Sequence, residues 1–324
     1  MIALLDEQFM PAESQSNCFH VAVLLRETIS ALRPAPGKLY LDGTVGGGGH
    51  ALGLLEEGAS VIACDQDPEA LEEAAVRCAE YSDRIRFIES NFADATGRFA
   101  ELGITGLDGV LLDLGLSSHQ LDTPSRGFSF MREGPLDMRM GPHVQRTAAD
   151  VVNESSQEEL ARIFFEFGQE TASRRLAAHL VKVRSRSPIR TTSDLAKAIE
   201  AVIPKRGPKH PATQVFQALR IAVNSELSVL ERALHVLSDW INIGGRMAVI
   251  TFHSLEDRIV KRYFKEVSQE WIDRPEWEAP RRNPEHAFRL VTGRAVKPGV
   301  QEQRINPRAR SAKLRVVERI RNES

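Results

Sequence analysis

The chain has 324 residues and a mass of 36.1 kDa, enough for one large domain and a second. Its 42% hydrophobic and 27% charged residues exclude global disorder, and it contains no apolar run of about 18 residues that would span a bilayer. The formal net charge of −2 hides two basic stretches: twelve lysines and arginines against four acids from Arg281 to Ser324, and eight against two from Lys182 to His210. On an otherwise acidic chain these stretches suggest a polyanion partner, the alternative being ordinary solvated faces. Met1–Met10 carries Asp6 and Glu7 and no basic residue, so the start does not read as a secretory signal. Cys18, Cys64 and Cys78 are scattered and odd in number. They point to a reducing, cytoplasmic location and away from a disulfide framework or a cysteine zinc site.

In chain order, Leu39-Tyr40-Leu41-Asp42 predicts a short strand ending in an acid, followed by Gly43-Thr44-Val45-Gly46-Gly47-Gly48-Gly49-His50. A helix from Ala51 to Glu57, closed by Gly58, leads to a second strand, Val61-Ile62-Ala63-Cys64-Asp65. Pro68 to Tyr81 has helical composition, with Pro68 suited to the first turn. Arg86-Phe87-Ile88 predicts a third strand and Val110-Leu111-Leu112-Asp113-Leu114 a fourth. Strands without period-two alternation, separated by helices, imply a parallel sheet covered on both faces. A fifth strand, Arg246 to Phe252, follows a turn at Gly244-Gly245, and 131 residues separate Asp113 from Gly245. A crossover between parallel strands needs about 30 residues, so roughly 100 are inserted.

The insertion reads as helical. A capping box, Ser156-x-x-Glu159, precedes Leu160, Ile163, Phe164 and Phe167. Leu176, Leu180 and Val183 form a second stripe; Thr192/Ser193 cap a third helix carrying Leu195, Ile199 and Val202 and ended by Pro204. After a basic loop, Lys205 to Lys209, Pro211 opens a long helical pattern running to Leu237. A break is expected near Asn224, because Asn and Ser favour caps over helix interiors. Leu314 to Arg319 predicts an edge strand.

Consecutive glycines let a backbone approach a ligand closely, and the helix they open favours anionic groups at its amino end. Asp65 ends the next strand, where an acid accepts hydrogen bonds from ribose hydroxyls. This much fits any nucleoside-containing cofactor. Asp42, Asp65 and Asp113, all at strand carboxyl ends, repel a pyrophosphate and suit a sulfonium and an amine, which favours S-adenosylmethionine over a nicotinamide dinucleotide. For Asp42 and Asp113 the alternative is capping or turn formation. Asp113 to Gln120 leaves the fourth strand where open α/β sheets bind ligands. It lacks the polar-Pro-Pro-aromatic motif with which amine methyltransferases often hold a target amine, so these residues alone leave the acceptor open. His50, His119, His210 and His253 are isolated, and no metal is expected.

The stretch Asp42 to His50 resembles the first motif of the ribosomal RNA small subunit methyltransferase H (MraW) family. Agreement continues in order at His20 to Leu25, Leu112 to Ser118, Arg126 to Met131 with Pro135 to Met140, and His210 to Thr213 with Phe216 to Ile221 and Asn224 to Leu227. Phe252 to Lys261 and Asn306 to Ser311 complete it, so it covers nearly the whole chain from residue 20. The resemblance implies an α/β fold: a class I, Rossmann-like S-adenosylmethionine-dependent methyltransferase sheet with an inserted all-helical domain. The expected organisation is an extension at 1–19, a discontinuous methyltransferase domain at 20–120 and 222–324, and a helical substrate-recognition domain at 121–221.

The resemblance further implies methyl transfer from S-adenosyl-L-methionine, leaving S-adenosyl-L-homocysteine, to N4 of a cytidine in 16S rRNA. That cytidine is position 1402, near the decoding site, with the assembled small subunit the expected partner and no membrane involved. By motif position Gly48, Gly49 and His50 contact the methionine part, Asp65 the ribose and Phe92 the adenine, while Asp113 and Gln120 complete the donor site.

Cytosine N4 is a poor nucleophile because its lone pair is delocalised, so alignment and aimed dipoles should carry catalysis. Asp113 and the turn at Ser117 are candidates to shape the acceptor site. His253 and Ser254 are second candidates, His253 having a structural alternative. The target base must leave its stack. Phe128 and Phe130, beside Arg126 and Arg132, are candidates to cover it, or else pack the insertion onto the core. Arg184, Arg186, Arg190, Lys205, Arg206, Lys209, Arg308, Arg310 and Lys313 are candidates for phosphate contacts. A ribosome assembly factor with a regulatory donor pocket and a DNA cytosine-N4 methyltransferase are competing readings, and a homodimer is left open.

Overall fold

A computed structural model describes residues 22–205 and 210–321. The expected extension at 1–19, and Arg206 and Lys209 of the basic loop, lie outside the described residues. The main sheet has seven strands in the order β3-β2-β1-β4-β5-β9-β8. They are β1 (Leu39–Asp42), β2 (Ser60–Asp65), β3 (Ile85–Glu89), β4 (Leu107–Asp113), β5 (Ile241–Thr251), β8 (Phe288–Leu290) and β9 (Lys313–Arg319). The first five are parallel; β9 runs antiparallel to β5 and to β8. Two short strands, β6 (Trp271–Ile272) and β7 (Arg281–Arg282), pair as a separate hairpin.

Alternate residues of the central strands enter two cores. Leu41, Ile62, Val110, Leu112, Met247 and Val249 face α10 (Glu226–Ser238) and α11 (Ser254–Ser268). Tyr40, Val61, Ala63, Leu111, Ala248 and Ile250 face α1 (Leu25–Leu32) and α2 (Gly49–Glu56). Both faces are covered, which is why these strands carry no polar alternation. The helix α3 (Pro68–Arg77) follows β2, and its N-cap Asp67 accepts the Glu69 N–H at 3.2 Å.

Two strand expectations need correction. β5 begins at Ile241, and Gly244-Gly245, expected as a turn, lies inside the strand. Gly244 has φ +83°, and the pairing jumps from Leu107–Ile241 to Gly109–Arg246, the mark of a bulge. β9 is not an edge strand: β8 pairs on its other side and forms the edge.

Between β4 and β5 the chain makes α4 (Ser118–Asp122), then α5 (Ala148–Glu154), α6 (Gln157–Glu166), α7 (Ser173–Arg184), α8 (Thr192–Glu200) and α9 (Ala212–Asn224). Buried residues from Phe128 to Leu219 form a third core among these helices. Ser156 caps α6, accepting the Glu159 N–H at 3.1 Å. The cap of α8 is Thr191, reciprocated by Asp194, rather than Thr192/Ser193. Thr192 is buried, and its hydroxyl donates to the Arg132 carbonyl at 3.1 Å.

The expected break at Asn224 is present, with Ser225 in the left-handed region at φ 51°. Asn224 Oδ1 accepts from Met140 N at 2.9 Å, and its Nδ2 donates to the Met138 carbonyl at 2.8 Å. The side chain therefore ties the end of α9 to the segment before α5. Among the described residues no helix is long and apolar enough to cross a membrane. The last helix is α12 (Val300–Ile305).

Candidate active site

The carboxyl edge of β1, β2 and β4 opens into a pocket whose wall runs from Ala22-Val23 through the glycine loop, Asp65, Phe92 and Asp113 to Asn306 and Arg308. The loop is packed to its hydrogens. A Cβ on Gly47 would lie 2.5 Å from Glu73 Oε1, and one on Gly49 would lie 2.9 Å from the Ala22 Cβ. Gly48, at φ +79°, stands buried behind the wall, where a Cβ would lie 3.1 Å from the Ala74 Cα. It is the N-cap of α2 and offers no side-chain cap, and the first-turn N–H of Ala51 turns instead to the Asp42 carboxyl.

Asp65 is held by two backbone donors, Gly46 N–H to Oδ2 and Asp67 N–H to Oδ1, both at 3.0 Å. Burial nevertheless pushes its carboxyl up to about 6. Asp42 is 1% exposed; Oδ1 accepts from Thr44 N at 3.3 Å and Oδ2 has no partner. Burial, reinforced by Asp65, pushes Asp42 up to about 7. Asp113 is raised well above the usual carboxylate range by burial and by repulsion from Asp42 and Glu256, and its Oδ1 has no partner.

His50 does not relieve this charge. Its Nε2–H donates to the Val23 carbonyl at 3.0 Å, so Nδ1 faces Asp113 Oδ2 at 3.6 Å with a lone pair. Burial lowers its pKa to about 4, so the ring is neutral. Three carboxyl groups raised by burial at one end of the sheet favour a positively charged ligand and disfavour a pyrophosphate.

Opposite the loop the wall includes Asn224, Glu226 and Glu256, from α9, α10 and α11. The Arg220 fork donates to both Glu226 oxygens at 2.8 Å. Glu256 Oε2 accepts the Phe252 and His253 N–H groups at 2.8 and 3.1 Å. Glu226, His253 and Glu256 bring three ligand atoms within 4.8 Å of one another, but Arg220 already occupies Glu226. The sequence reading assigned none of these acids a role. Their signals in the sequence are the stretches Asn224 to Leu227 and Phe252 to Lys261, which contribute only to the family resemblance.

The structure brings Gly49, His50, Asp65, Phe92, Asp113, Ser117 and Gln120 to one pocket. Within it, Ser117 is the N-cap of α4 and accepts from Gln120 N at 3.1 Å. Gln120 Nε2 donates to Asp67 Oδ2 at 2.9 Å, bracing the wall. His253 and Ser254 are not on this wall. His253 caps α11, accepting from Glu256 N at 3.3 Å, and Ser254 Oγ donates to Gln169 Oε1 at 3.2 Å.

The expected base cover is also displaced. Phe128 is 6% exposed and sits in the core of the inserted helices. Phe130 stacks on His210 at 4.6 Å and meets Phe216 edge-on. Arg126 is spent on Asp67 at 2.8 Å and Glu69 at 3.0 Å. Arg184 donates to the Val152 and Ser155 carbonyls at 2.6 Å, and Lys313 pairs with Asp257 at 2.9 Å. Arg132, Arg186, Arg190, Lys205 and Arg310 are exposed.

A sheet of order β3-β2-β1-β4-β5-β9-β8 with β9 reversed, a glycine loop after β1 and an acid ending β2, defines a class I S-adenosylmethionine-dependent methyltransferase. Comparison with known proteins narrows this. The sequence profile described as the MraW methylase family matches residues 17–320, and the chain belongs to that family. Two relatives named ribosomal RNA small subunit methyltransferase H are similar over almost their full lengths. That of Syntrophotalea carbinolica is 48% identical, covering 93% of this chain and 98% of its own. That of Granulibacter bethesdensis is 45% identical, covering 94% and 92%. Among solved structures, an rRNA methylase from Streptococcus thermophilus aligns with a TM-score of 0.41 at 10% identity, covering 92% of this chain and 94% of that one.

Proposed function

We propose that the protein transfers a methyl group from S-adenosylmethionine to the exocyclic N4 of a cytidine in 16S rRNA, position 1402, within the small ribosomal subunit in the cytoplasm. The observation that carries this reading is the 45–48% identity, over 93–94% of the chain, to relatives named for small-subunit rRNA methylation. The residues of the pocket fit the donor. Asp65 presents lone pairs to ribose hydroxyls, Phe92 gives an apolar face for adenine, and Asp42 and Asp113 balance a sulfonium and an amine.

The donor supplies an electrophilic methyl group when bound. The chain's task is to align N4 with it. Asp113, whose Oδ1 has no partner, accepts from an N4–H and orients the amine. Its raised pKa suits it to hold the proton that N4 loses. Glu256, close enough to raise Asp113, keeps that basicity high. Residues 20–120 and 222–324 form the catalytic domain on this reading. Residues 121–221 are the substrate-recognition domain, with Arg186, Arg190 and Lys205 toward phosphates. Phosphate contacts give affinity and register rather than base choice.

The test is mass-spectrometric nucleoside analysis of 16S rRNA from cells with and without the protein. The expected result is loss of an N4-methylated cytidine on deletion and its return on complementation. Asp113→Asn should cut turnover about 100-fold, the scale of one lost polar contact at a reacting centre. An unchanged nucleoside profile, with donor binding intact in the purified protein, would favour the assembly-factor reading instead.

A further inference from the structure

The pocket carries one cationic group whose binding capacity is unspent. Arg308 lies on its wall, in the turn Pro307–Ser311 that follows α12. One arm of its guanidinium is fixed: Nη2 donates to Asp122 Oδ1, at the end of α4, at 2.8 Å. The other arm, Nη1, is shielded from solvent and has no hydrogen-bond partner. An N–H so placed costs free energy unless a ligand meets it.

Contacts locate this arm at one end of the pocket. Asn306 N–H donates to the Glu302 carbonyl at 2.7 Å, and Glu302 Oε1 accepts from Leu24 N at 2.7 Å. Val23, next in the chain, holds His50 through its carbonyl, and Ala22 backs Gly49. These contacts tie the Arg308 turn to the segment that backs the glycine loop, while Asp122 ties its guanidinium to α4. S-adenosylmethionine is a zwitterion: besides its sulfonium and amine it carries one carboxylate. Asp42, Asp65, Asp113, Glu73, Glu226 and Glu256 make much of the wall hostile to that group, Arg77 beside Gly49 being the other guanidinium on it.

We propose that Arg308, aimed by Asp122, receives the donor's carboxylate through Nη1, rather than a phosphate of the RNA. This makes the C-terminal segment before β9 part of the donor site. Asp122 is then a positioning residue: it fixes one arm so that the other points inward. The inference rests on S-adenosylmethionine being the donor.

The test compares binding of S-adenosylmethionine and its decarboxylated analogue, which differs only in the carboxylate, by calorimetry without RNA. The wild-type protein should prefer the carboxylate-bearing ligand. In Arg308→Met that preference should fall about ten-fold, the scale of one charge-assisted hydrogen bond to a partly exposed side chain, with the analogue bound as before. Retained binding of the analogue shows that the site is folded. Arg308→Lys, which keeps charge but loses the fork, should lose less. Should Arg308→Met not fold, Asp122→Asn tests the same point, since releasing the guanidinium should reduce the preference.

An unchanged preference in these variants would overturn the proposal and assign the carboxylate to Arg77 or to the first-turn N–H groups of α2. Intact donor preference with a raised KM for the small subunit would also overturn it, and would place an RNA phosphate on Arg308. Failure of the wild-type protein to bind either ligand would remove the donor reading itself.

Discussion

Where α5, α6 and α8 begin, Thr147, Ser156 and Thr191 each accept a backbone N–H from three residues on, and Thr147 and Thr191 are reciprocated by Asp150 and Asp194. Where α2 begins, Gly48 offers no side chain, and the glycine loop before it lines a pocket rich in carboxyl groups. The three inserted helices satisfy their first turns with their own side chains, although Ser155 Oγ, at the end of α5, has no partner. The sheet edge leaves Asp42 Oδ2, Asp113 Oδ1 and Arg308 Nη1 buried without partners. Each such group costs stability, and together they mark where a ligand with charges of both signs would find partners. Regions with satisfied polar groups are organised for stability; the edge of the sheet is organised for binding.

Phe128→Ala is the strongest way to break this comparison. Phe128 was a candidate to cover a flipped base, yet it is buried with Leu136, Met138 and Leu160. Its truncation should cost about 3–5 kcal/mol of stability, as large-to-small core changes do. Chemical denaturation would measure this, and donor affinity should stay near wild type. A stable variant with a raised KM for RNA would return Phe128 to the binding face. Gly48→Ala is smaller and falls on the other side of the divide. It places a side chain at φ +79°, against the backbone of α3, at a cost of about 1–3 kcal/mol. The loop must shift to relieve it, so donor affinity should fall as well as the melting temperature. Loss of stability with unaltered affinity would mean that the loop does not shape the pocket.

The strands, the glycine loop and the acids that end β1, β2 and β4 are legible in the sequence because each is a local pattern, whereas Phe92 and Gln120 enter only through the family resemblance. Leu39–Asp42 and its glycines are contiguous, and Asp65 follows at the end of the next apolar run. The opposite wall is not local. Glu226 and Glu256 lie more than a hundred residues after Asp113 and meet it only because β5 pairs with β4 and carries α11 back over the sheet edge. Arg126 and Phe128 misled for a related reason. A Gly/Ser/Arg-rich loop looks solvent-facing, but Asp67 and Glu69 anchor it to α3 and the inserted core absorbs its ring. The edge strand was mistaken because β8 has three residues and only Phe288 is buried.

The pH dependence of donor binding sharpens the comparison at its smallest scale. Burial raises Asp42 to about 7 and Asp65 to about 6, so both bind protons in the empty protein at pH values where the unfolded chain has released them. Their contribution to folding is therefore largest below the unfolded carboxylate range and is lost as pH rises through about 6 to 7. A cationic ligand reverses the preference, because it binds the ionised forms. Donor affinity should thus rise with pH, by about ten-fold between pH 6 and 8 if one such proton is released on binding. Calorimetry in buffers of different ionisation enthalpy would count that proton directly. Asp42→Asn, which removes the titrating group near 7 but keeps its shape, should flatten the curve. Asp150 and Asp194, which reciprocate the caps of inserted helices and do not line the pocket, should leave donor binding untouched when changed to Asn. A slope that survives Asp42→Asn but disappears with Asp113→Asn would move the uncompensated charge from β1 to β4.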